Sequence, residues 1–148
     1  MNTDRFKFRV WDHKEHQYFN DPGAASINED GILLVEHWDR RDGCFYSLGP
    51  EDYGKDRYTI EQCTGLKDKN DKLIYEGDVI RVFNACEECN HEIDIDTGIG
   101  YVVWLESHGI FYVTGKDSPE NSIYDLNFND YHFEIIGNIH DEKWGIEK

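Results

Sequence analysis

The sequence predicts a mainly β protein with little helix, in which a β-meander lobe precedes a small SH3-like barrel or roll. Apolar and polar residues alternate in short runs along the 148-residue chain, and this period of two is typical of half-buried strands. Clusters of Gly, Asn, Asp and Pro separate the runs, as turn residues do. We expect the meander lobe over residues 1–63 and the SH3-like barrel over residues 64–148.

The first lobe is interpreted as two hairpins followed by one further strand. Phe6, Phe8 and Val10 alternate with polar neighbours, which marks the first strand. The predicted strands of this lobe cover residues 6–11, 18–19, 31–38, 44–48 and 58–63. Residues 49–54 are expected to form a loop, because Gly and Pro are concentrated there.

The second part is expected to contain four or five short strands, and so many glycine-flanked strands are typical of a small SH3-like barrel. Tight turns over residues 69–71 and 76–78 introduce it. The predicted strands cover residues 79–83, 101–105, 109–113 and 133–139. Ser118 and Pro119 stand where a helix cap and a first helical residue would, which predicts one or two helical turns reaching Leu126.

One segment carries a family signature. Residues 64–80 read Thr-Gly-Leu-Lys-Asp-Lys-Asn-Asp-Lys-Leu-Ile-Tyr-Glu-Gly-Asp-Val-Ile. With Trp11-Asp12 before it and Glu134-Ile135-Ile136-Gly137-Asn138-Ile139 after it, this segment resembles the YopX-like proteins of phages and prophages. The family pattern usually has Asn-Gly where this chain has Asn70-Asp71, and Asp tolerates positive φ less well than Gly. The resemblance implies a phage or prophage accessory protein and assigns it no catalytic residue.

The net charge argues against direct contact with nucleic acid. The chain has a formal charge of −16, and residues 84–134 contain 11 acidic residues but a single base, Lys116. Binding to DNA or RNA depends on Lys and Arg that neutralise phosphates. A dense row of carboxylates can instead imitate phosphates, so an acidic DNA mimic that inhibits a host nucleic-acid enzyme is an alternative function.

The N-terminus and the cysteines point to the cytoplasm of a bacterial host. Charged residues lie within the first seven positions and no apolar run follows them, which is unlike a signal peptide. No stretch reaches the length of a membrane-spanning helix. Cys44, Cys63, Cys86 and Cys89 are therefore expected to remain thiols in a reducing compartment.

Cys86, Cys89 and His91 form the candidate metal site. The Cys-x-x-Cys spacing can place two thiolates on one tetrahedral zinc ion, and His91 follows as a possible third ligand. A fourth ligand is missing at any fixed spacing, and the flanking acids oppose thiolate formation. The alternative is an acidic loop with exposed thiols and no cofactor.

Two further motifs have a catalytic and a structural interpretation. Asp96-Thr97-Gly98 resembles the active-site triplet of retropepsin-like aspartic proteases, in which paired carboxylates activate water; the structural alternative is a polar turn between strands. Glu76 and Asp78 flank Gly77 and suit acid–base chemistry, but carboxylates at the entry to a strand also cap backbone amides. We expect the capping role.

The sequence therefore favours a non-enzymatic interaction module that associates with itself or with a host or phage protein. Self-association is suggested by Trp144, since a terminal aromatic residue often docks on a neighbouring subunit. The competing hypotheses are the DNA mimic and an enzyme that works through the candidate zinc site or through Asp96.

Overall fold

The computed structural model describes residues 3–19, 24–85, 92–115, 123–126 and 131–145. The protein is mainly β and contains a sheet that curls into a half-barrel, which confirms the mainly β part of the predicted fold class. Two compact units are present: one is Phe8–Glu61, and the other combines Met1–Lys7 with Gln62–Lys148. The expected domains, 1–63 and 64–148, stay a prediction, because a compact packing unit is not by itself an independently folding domain.

The strands are β1 (Phe8–Asp12), β2 (Gln17–Tyr18), β3 (Ala25–Ile27), β4 (Leu33–Asp39), β5 (Cys44–Leu48), β6 (Tyr58–Lys67), β7 (Leu73–Tyr75), β8 (Asp78–Ala85), β9 (Glu92–Leu105), β10 (Ile110–Gly115), β11 (Ile123–Asp125) and β12 (Tyr131–Asn138). A one-turn helix, α1, covers Pro50–Tyr53, and 3-10 turns cover Asp4–Phe6 and Glu142–Trp144. No helix in the described ranges is long and apolar enough to cross a membrane.

The unit Phe8–Glu61 packs its strands around a small apolar cluster. Antiparallel β1 and β2 form the first hairpin, and β3, β4 and β5 form a three-stranded antiparallel sheet. Val10, Leu33 and Val35 are its buried core residues. Leu33 and Val35 are two residues apart on β4, so the alternation of the strand points both side chains to the same face.

The second unit contains a five-stranded antiparallel sheet in the order β11-β10-β9-β8-β12. The predicted hairpin around residues 106–108 is confirmed, since β9 pairs with β10 from Leu105 opposite Ile110 to Gly100 opposite Gly115. The buried core residues of this unit are Ile74, Ile80, Val82, Val102, Val113, Leu126 and Phe133. The family segment supplies Ile74 and Ile80, which ties that signature to the core.

Strand β6 extends past the point where the sequence predicted a strand to end. It continues through Cys63 to Lys67, although Thr64-Gly65 had the composition of a turn. The pairing with β7 shifts register between Cys63 and Lys67, and Gly65 has φ of +80°. These residues therefore form a bulge inside a strand, a feature that glycine commonly permits.

Two local predictions are wrong. Residues 49–54 are not simply a loop, because Pro50–Tyr53 form α1. Pro50 is at the start of this helix, and the Asp52 carboxylate accepts a hydrogen bond from the Gly49 amide at 2.9 Å. The expected helical turns do not extend to Leu126, because Ile123–Asp125 form strand β11, which pairs with β10. Ser118 and Pro119 lie outside the described residues.

Trp144 packs against its own chain. Strand β12 changes register between Ile135 and Gly137, and a Cβ atom at Gly137 would collide with Trp144 Nε1 and the Asp141 carboxylate. Only glycine leaves space for the indole there. The indole therefore contacts its own unit, and the expectation that Trp144 docks on a neighbouring subunit stays a prediction.

Candidate functional site

The predicted zinc ligands Cys86, Cys89 and His91 lie outside the described residues. Within the described ranges, no group of three or more His, Cys, Asp or Glu side chains could hold a metal ion. Cys44 is exposed and Cys63 is fully buried, and both are free thiols. Burial raises the pKa of the Cys63 thiol, which keeps it protonated and unreactive.

Asp96-Thr97-Gly98 lies inside strand β9, so the polar-turn interpretation of this triplet is wrong. The backbone of Asp96 is opposite Phe83, and that of Gly98 is opposite Val82. The pairing changes register between Val82 and Phe83, and Gly98 has φ of +126°. Sheet geometry accounts for the glycine at this position.

The Asp12 carboxylate anchors a turn in the unit Phe8–Glu61. It accepts hydrogen bonds from the Lys14 and Glu15 amides, at 2.9 and 3.2 Å, and forms an ion pair with Arg57 at 3.0 Å. Burial alone would raise the pKa of Asp12, but these bonds outweigh it and hold the pKa below its usual value. Glu61 is similarly buried and accepts bonds from Arg9 at 2.6 Å and from the Tyr18 hydroxyl at 3.0 Å.

Asp68 has the same role in the second unit. Its Oδ1 accepts hydrogen bonds from the Asn70 and Lys72 amides at 2.8 and 3.0 Å, and its Oδ2 accepts one from the Ile135 amide at 3.1 Å. Burial opposes the charge, but the three bonds prevail and lower the pKa of Asp68. This role of Asp68 was not predicted from the sequence, although an Asp at the start of a polar turn is a signal for it.

Asp78 confirms the capping role that was expected for it. Its side chain is 1% exposed, and its carboxylate accepts a hydrogen bond from the Tyr75 amide at 2.8 Å. Gly77 between them has φ of +81°. A carboxylate that is enclosed and already hydrogen-bonded to backbone is suited to holding a turn rather than to moving protons.

The β4–β5 hairpin of the unit Phe8–Glu61 exposes the aromatic pair Trp38 and Phe45 on one face and Tyr46 on the other. Trp38 is 47% exposed, Phe45 68% and Tyr46 45%. Trp38 and Phe45 are directly opposite each other on the two strands, and their ring centroids are 4.7 Å apart. Tyrosine, tryptophan and phenylalanine are enriched in the centres of protein–protein interfaces, so this hairpin is the candidate interaction surface.

A hairpin of the same construction occurs in the other unit. Trp104 lies opposite Phe111 on β9 and β10, with ring centroids 4.8 Å apart, and Trp104 is 43% exposed. In both hairpins Trp and Phe are seven positions apart, and a glycine of positive φ, Gly43 or Gly109, lies against the indole. The difference is that Phe111 packs on the buried core, whereas Phe45 is mostly exposed.

Comparisons with known proteins agree on the fold. No curated protein matches the chain. The crystal structure of protein EF1440 from Enterococcus faecalis is similar, with a TM-score of 0.52 and 23% sequence identity over 95% of this chain and 97% of that chain. The model of the YopX protein family matches residues 7–143. Since this match spans most of the sequence, including the segment 64–80, the chain belongs to the YopX family.

Proposed function

We propose that this protein is a non-enzymatic interaction module, encoded by a phage or prophage, that works in the host cytoplasm as a homo-oligomer. The observation that carries the proposal is the exposed aromatic pair Trp38 and Phe45 on one face of the β4–β5 hairpin. Large exposed apolar side chains that are contiguous on a surface are typical of sites that another protein covers.

The buried carboxylates support a role without catalysis. Asp12, Glu61, Asp68 and Asp78 each accept hydrogen bonds from backbone amides or from Arg and Tyr side chains. These bonds fix turns and strands, and they lower the pKa of Asp12 and of Asp68. A general base needs a carboxylate that a substrate can reach, and these four side chains are at most 7% exposed.

The proposal includes a finer description of the second unit as an SH3-like roll. Its five antiparallel strands and the tight turn at Gly77 support that description. Folds of this type present loops and edges to partners, which suits a binding module.

Size-exclusion chromatography coupled to light scattering tests the function. The untagged protein should elute with a mass that is an integral multiple, at least twice, of the 17.4 kDa chain mass. A monomer at every concentration up to about 100 μM, well above the dissociation constant of a stable interface, would contradict the proposal.

The acidic surface favours the DNA mimic as a second candidate function. The charge of −16 would steer the protein toward the basic cleft of a nucleic-acid enzyme. A pull-down from host lysate should then capture such an enzyme at low salt and release it at high salt. Capture that is insensitive to salt would exclude this candidate.

The zinc hypothesis for Cys86, Cys89 and His91 stays a prediction and is one of two routes to an enzyme, the other being aspartyl chemistry at Asp96. Metal analysis of the untagged protein decides the zinc hypothesis. One zinc ion per chain, lost in a Cys86→Ser/Cys89→Ser variant, would support the site, and substoichiometric zinc would exclude it.

A further inference from the structure

Strand β5 combines an edge position with five residues and no charge. It reads Cys-Phe-Tyr-Ser-Leu, whereas 31% of all residues are charged. It is the last strand in the order β3-β4-β5, so no described strand pairs with its outer edge. Its first four residues are exposed, and since successive side chains alternate between faces, both faces of the strand are open.

The other strands at sheet edges are protected against pairing. Strand β2 has two residues, and β3, β7 and β11 have three each. Strand β12 is long, but a register shift interrupts it and it carries the polar residues His132 and Glu134. The turn after β6 also covers the edge of β12. In that turn the Lys69 amide donates a hydrogen bond to the Phe133 carbonyl at 2.8 Å, and the Asp68 carboxylate accepts one from the Ile135 amide. Short, bulged, charged or covered edges are the usual means by which proteins prevent sheet-to-sheet association.

Strand β5 has none of these protections. It has five residues, pairs with β4 without any register shift, and contains neither Pro nor a charged residue. Such an edge offers a row of backbone donors and acceptors to another strand.

We propose that β5 pairs antiparallel with β5 of a second copy of this chain, around a two-fold axis at Tyr46, so that the two three-stranded sheets join into one of six strands. The inference rests on the homo-oligomer proposed above and names the surface through which it forms. An antiparallel edge pair is self-complementary, which is the requirement of a two-fold interface.

The charge distribution favours a second copy of this chain as the binding partner of β5, and it favours an antiparallel orientation of the two strands. Two chains of charge −16 repel each other, so an uncharged strand is where their backbones can approach. Arg40 and Arg41 are exposed in the turn before β5, and neither forms an ion pair in the described part of the chain. Glu51 and Asp52 are exposed in α1, just after β5.

Antiparallel pairing brings these opposite charges together. With Tyr46 opposite Tyr46, Cys44 of one copy is opposite Leu48 of the other. The turn that holds Arg40 and Arg41 then lies beside the first turn of α1 in the second copy. The symmetry forms this contact twice, and a parallel arrangement would instead place like charges together.

Disulfide trapping tests the register. The variant Tyr46→Cys is made in a Cys44→Ser/Cys86→Ser/Cys89→Ser background, with the buried Cys63 retained. Opposed residues of an antiparallel pair have Cα atoms about 4.5–5.5 Å apart, within reach of a disulfide. We expect mild oxidation to convert most of the protein to a covalent dimer on a non-reducing gel.

His37→Cys in the same background is the matched control. His37 is exposed and lies opposite Tyr46 on β4, so the two copies of this residue would be about 14 Å apart, three strand spacings, and beyond disulfide reach. Equal cross-linking at both positions, or none at position 46 in a protein that light scattering shows to be oligomeric, would overturn the β5 interface while leaving the proposed function intact. A monomeric wild type would overturn the function itself.

Charge reversal provides an independent test that creates no cavity. Arg41→Glu and Glu51→Arg should each raise the dimer dissociation constant about tenfold, since each places two like-charged contacts in the interface. The double variant should return to within about threefold of wild type, because the pairs are restored with their signs exchanged. Additive losses in the double variant would overturn the proposed orientation.

Discussion

The carboxylate of Asp68 links a turn to a distant strand. Its bonds to the Asn70 and Lys72 amides shape the turn after β6, and its bond to the Ile135 amide attaches that turn to β12. Asparagine in its place keeps one acceptor oxygen but turns an N–H group toward a backbone donor. We predict that Asp68→Asn lowers the free energy of unfolding by about 2 kcal/mol. Urea denaturation at pH 7 measures it.

Asp71→Asn is the control, since the exposed Asp71 side chain forms an ion pair with Lys67 and accepts no backbone hydrogen bond among the described residues. We expect it to change the unfolding free energy by less than about 0.5 kcal/mol. The effect of Asp68→Asn should also depend on pH. The pKa of Asp68 is lowered in the folded state, so its contribution is present above the unfolded-state pKa of about 3.9 and is lost as the pH falls through the folded-state pKa. Wild type and variant should converge toward pH 2; a constant difference would contradict this assignment.

Asp71 also adopts a backbone conformation that suits glycine better. Its φ is +65°, and a left-handed conformation is costly for most residues with a Cβ atom. The stability gained by replacing Asp71 with glycine is partly offset by the greater conformational freedom of glycine in the unfolded chain. We predict that Asp71→Gly stabilises the protein by about 0.5 kcal/mol. Thermal denaturation tests this, and a lower melting temperature would contradict it.

At the level of secondary-structure elements, the hairpins were predictable and their interruptions were not. The strand pairs β4–β5 and β9–β10 follow from short apolar runs on both sides of a short polar turn. Thr64-Gly65 and Asp96-Thr97-Gly98 have turn composition, yet both lie inside strands. A glycine of positive φ serves a turn and a bulge equally well, and only pairing with a distant strand distinguishes them.

The candidate site was less predictable than the fold. The exposure of Trp38 and Phe45 depends on what packs against the hairpin, which periodicity along one strand does not reveal. The role of Asp68 depends on Ile135, 67 positions away, and no local pattern contains that contact.

The edge strand β5 permits a prediction with a matched control in the same sheet. Ser47→Lys places a charge on β5, whereas Ser26→Lys places the same charge on β3, the opposite edge; both serines are exposed. A lysine on an edge strand opposes strand pairing. We predict that Ser47→Lys makes the protein monomeric in light scattering and that Ser26→Lys leaves the oligomer intact. The reverse result would assign the interface to β3.

At the scale of the whole molecule, the net charge sets the conditions for association. Repulsion between two copies grows with the product of their charges of −16, while exposed ion pairs contribute about 0–1 kcal/mol each. Salt weakens both the repulsion between the net charges and the attraction within ion pairs. The larger of the two determines whether added salt strengthens or weakens self-association. We predict that raising NaCl from about 20 to 300 mM, at which the Debye length falls from roughly 20 to below 8 Å, strengthens self-association in analytical ultracentrifugation. Dissociation at high salt would show that ion pairs dominate instead.

Hydrogen exchange at different protein concentrations is the sharpest test of whether two copies join through β5. If β5 is the surface through which two copies join, the amides of residues 44–48 should exchange slowly at about 100 μM and faster at about 1 μM, at which the complex has dissociated. The short edge strand β2 should exchange at the same rate in both samples. Exchange in β5 that does not change with concentration, in a protein whose mass is oligomeric, would contradict the account.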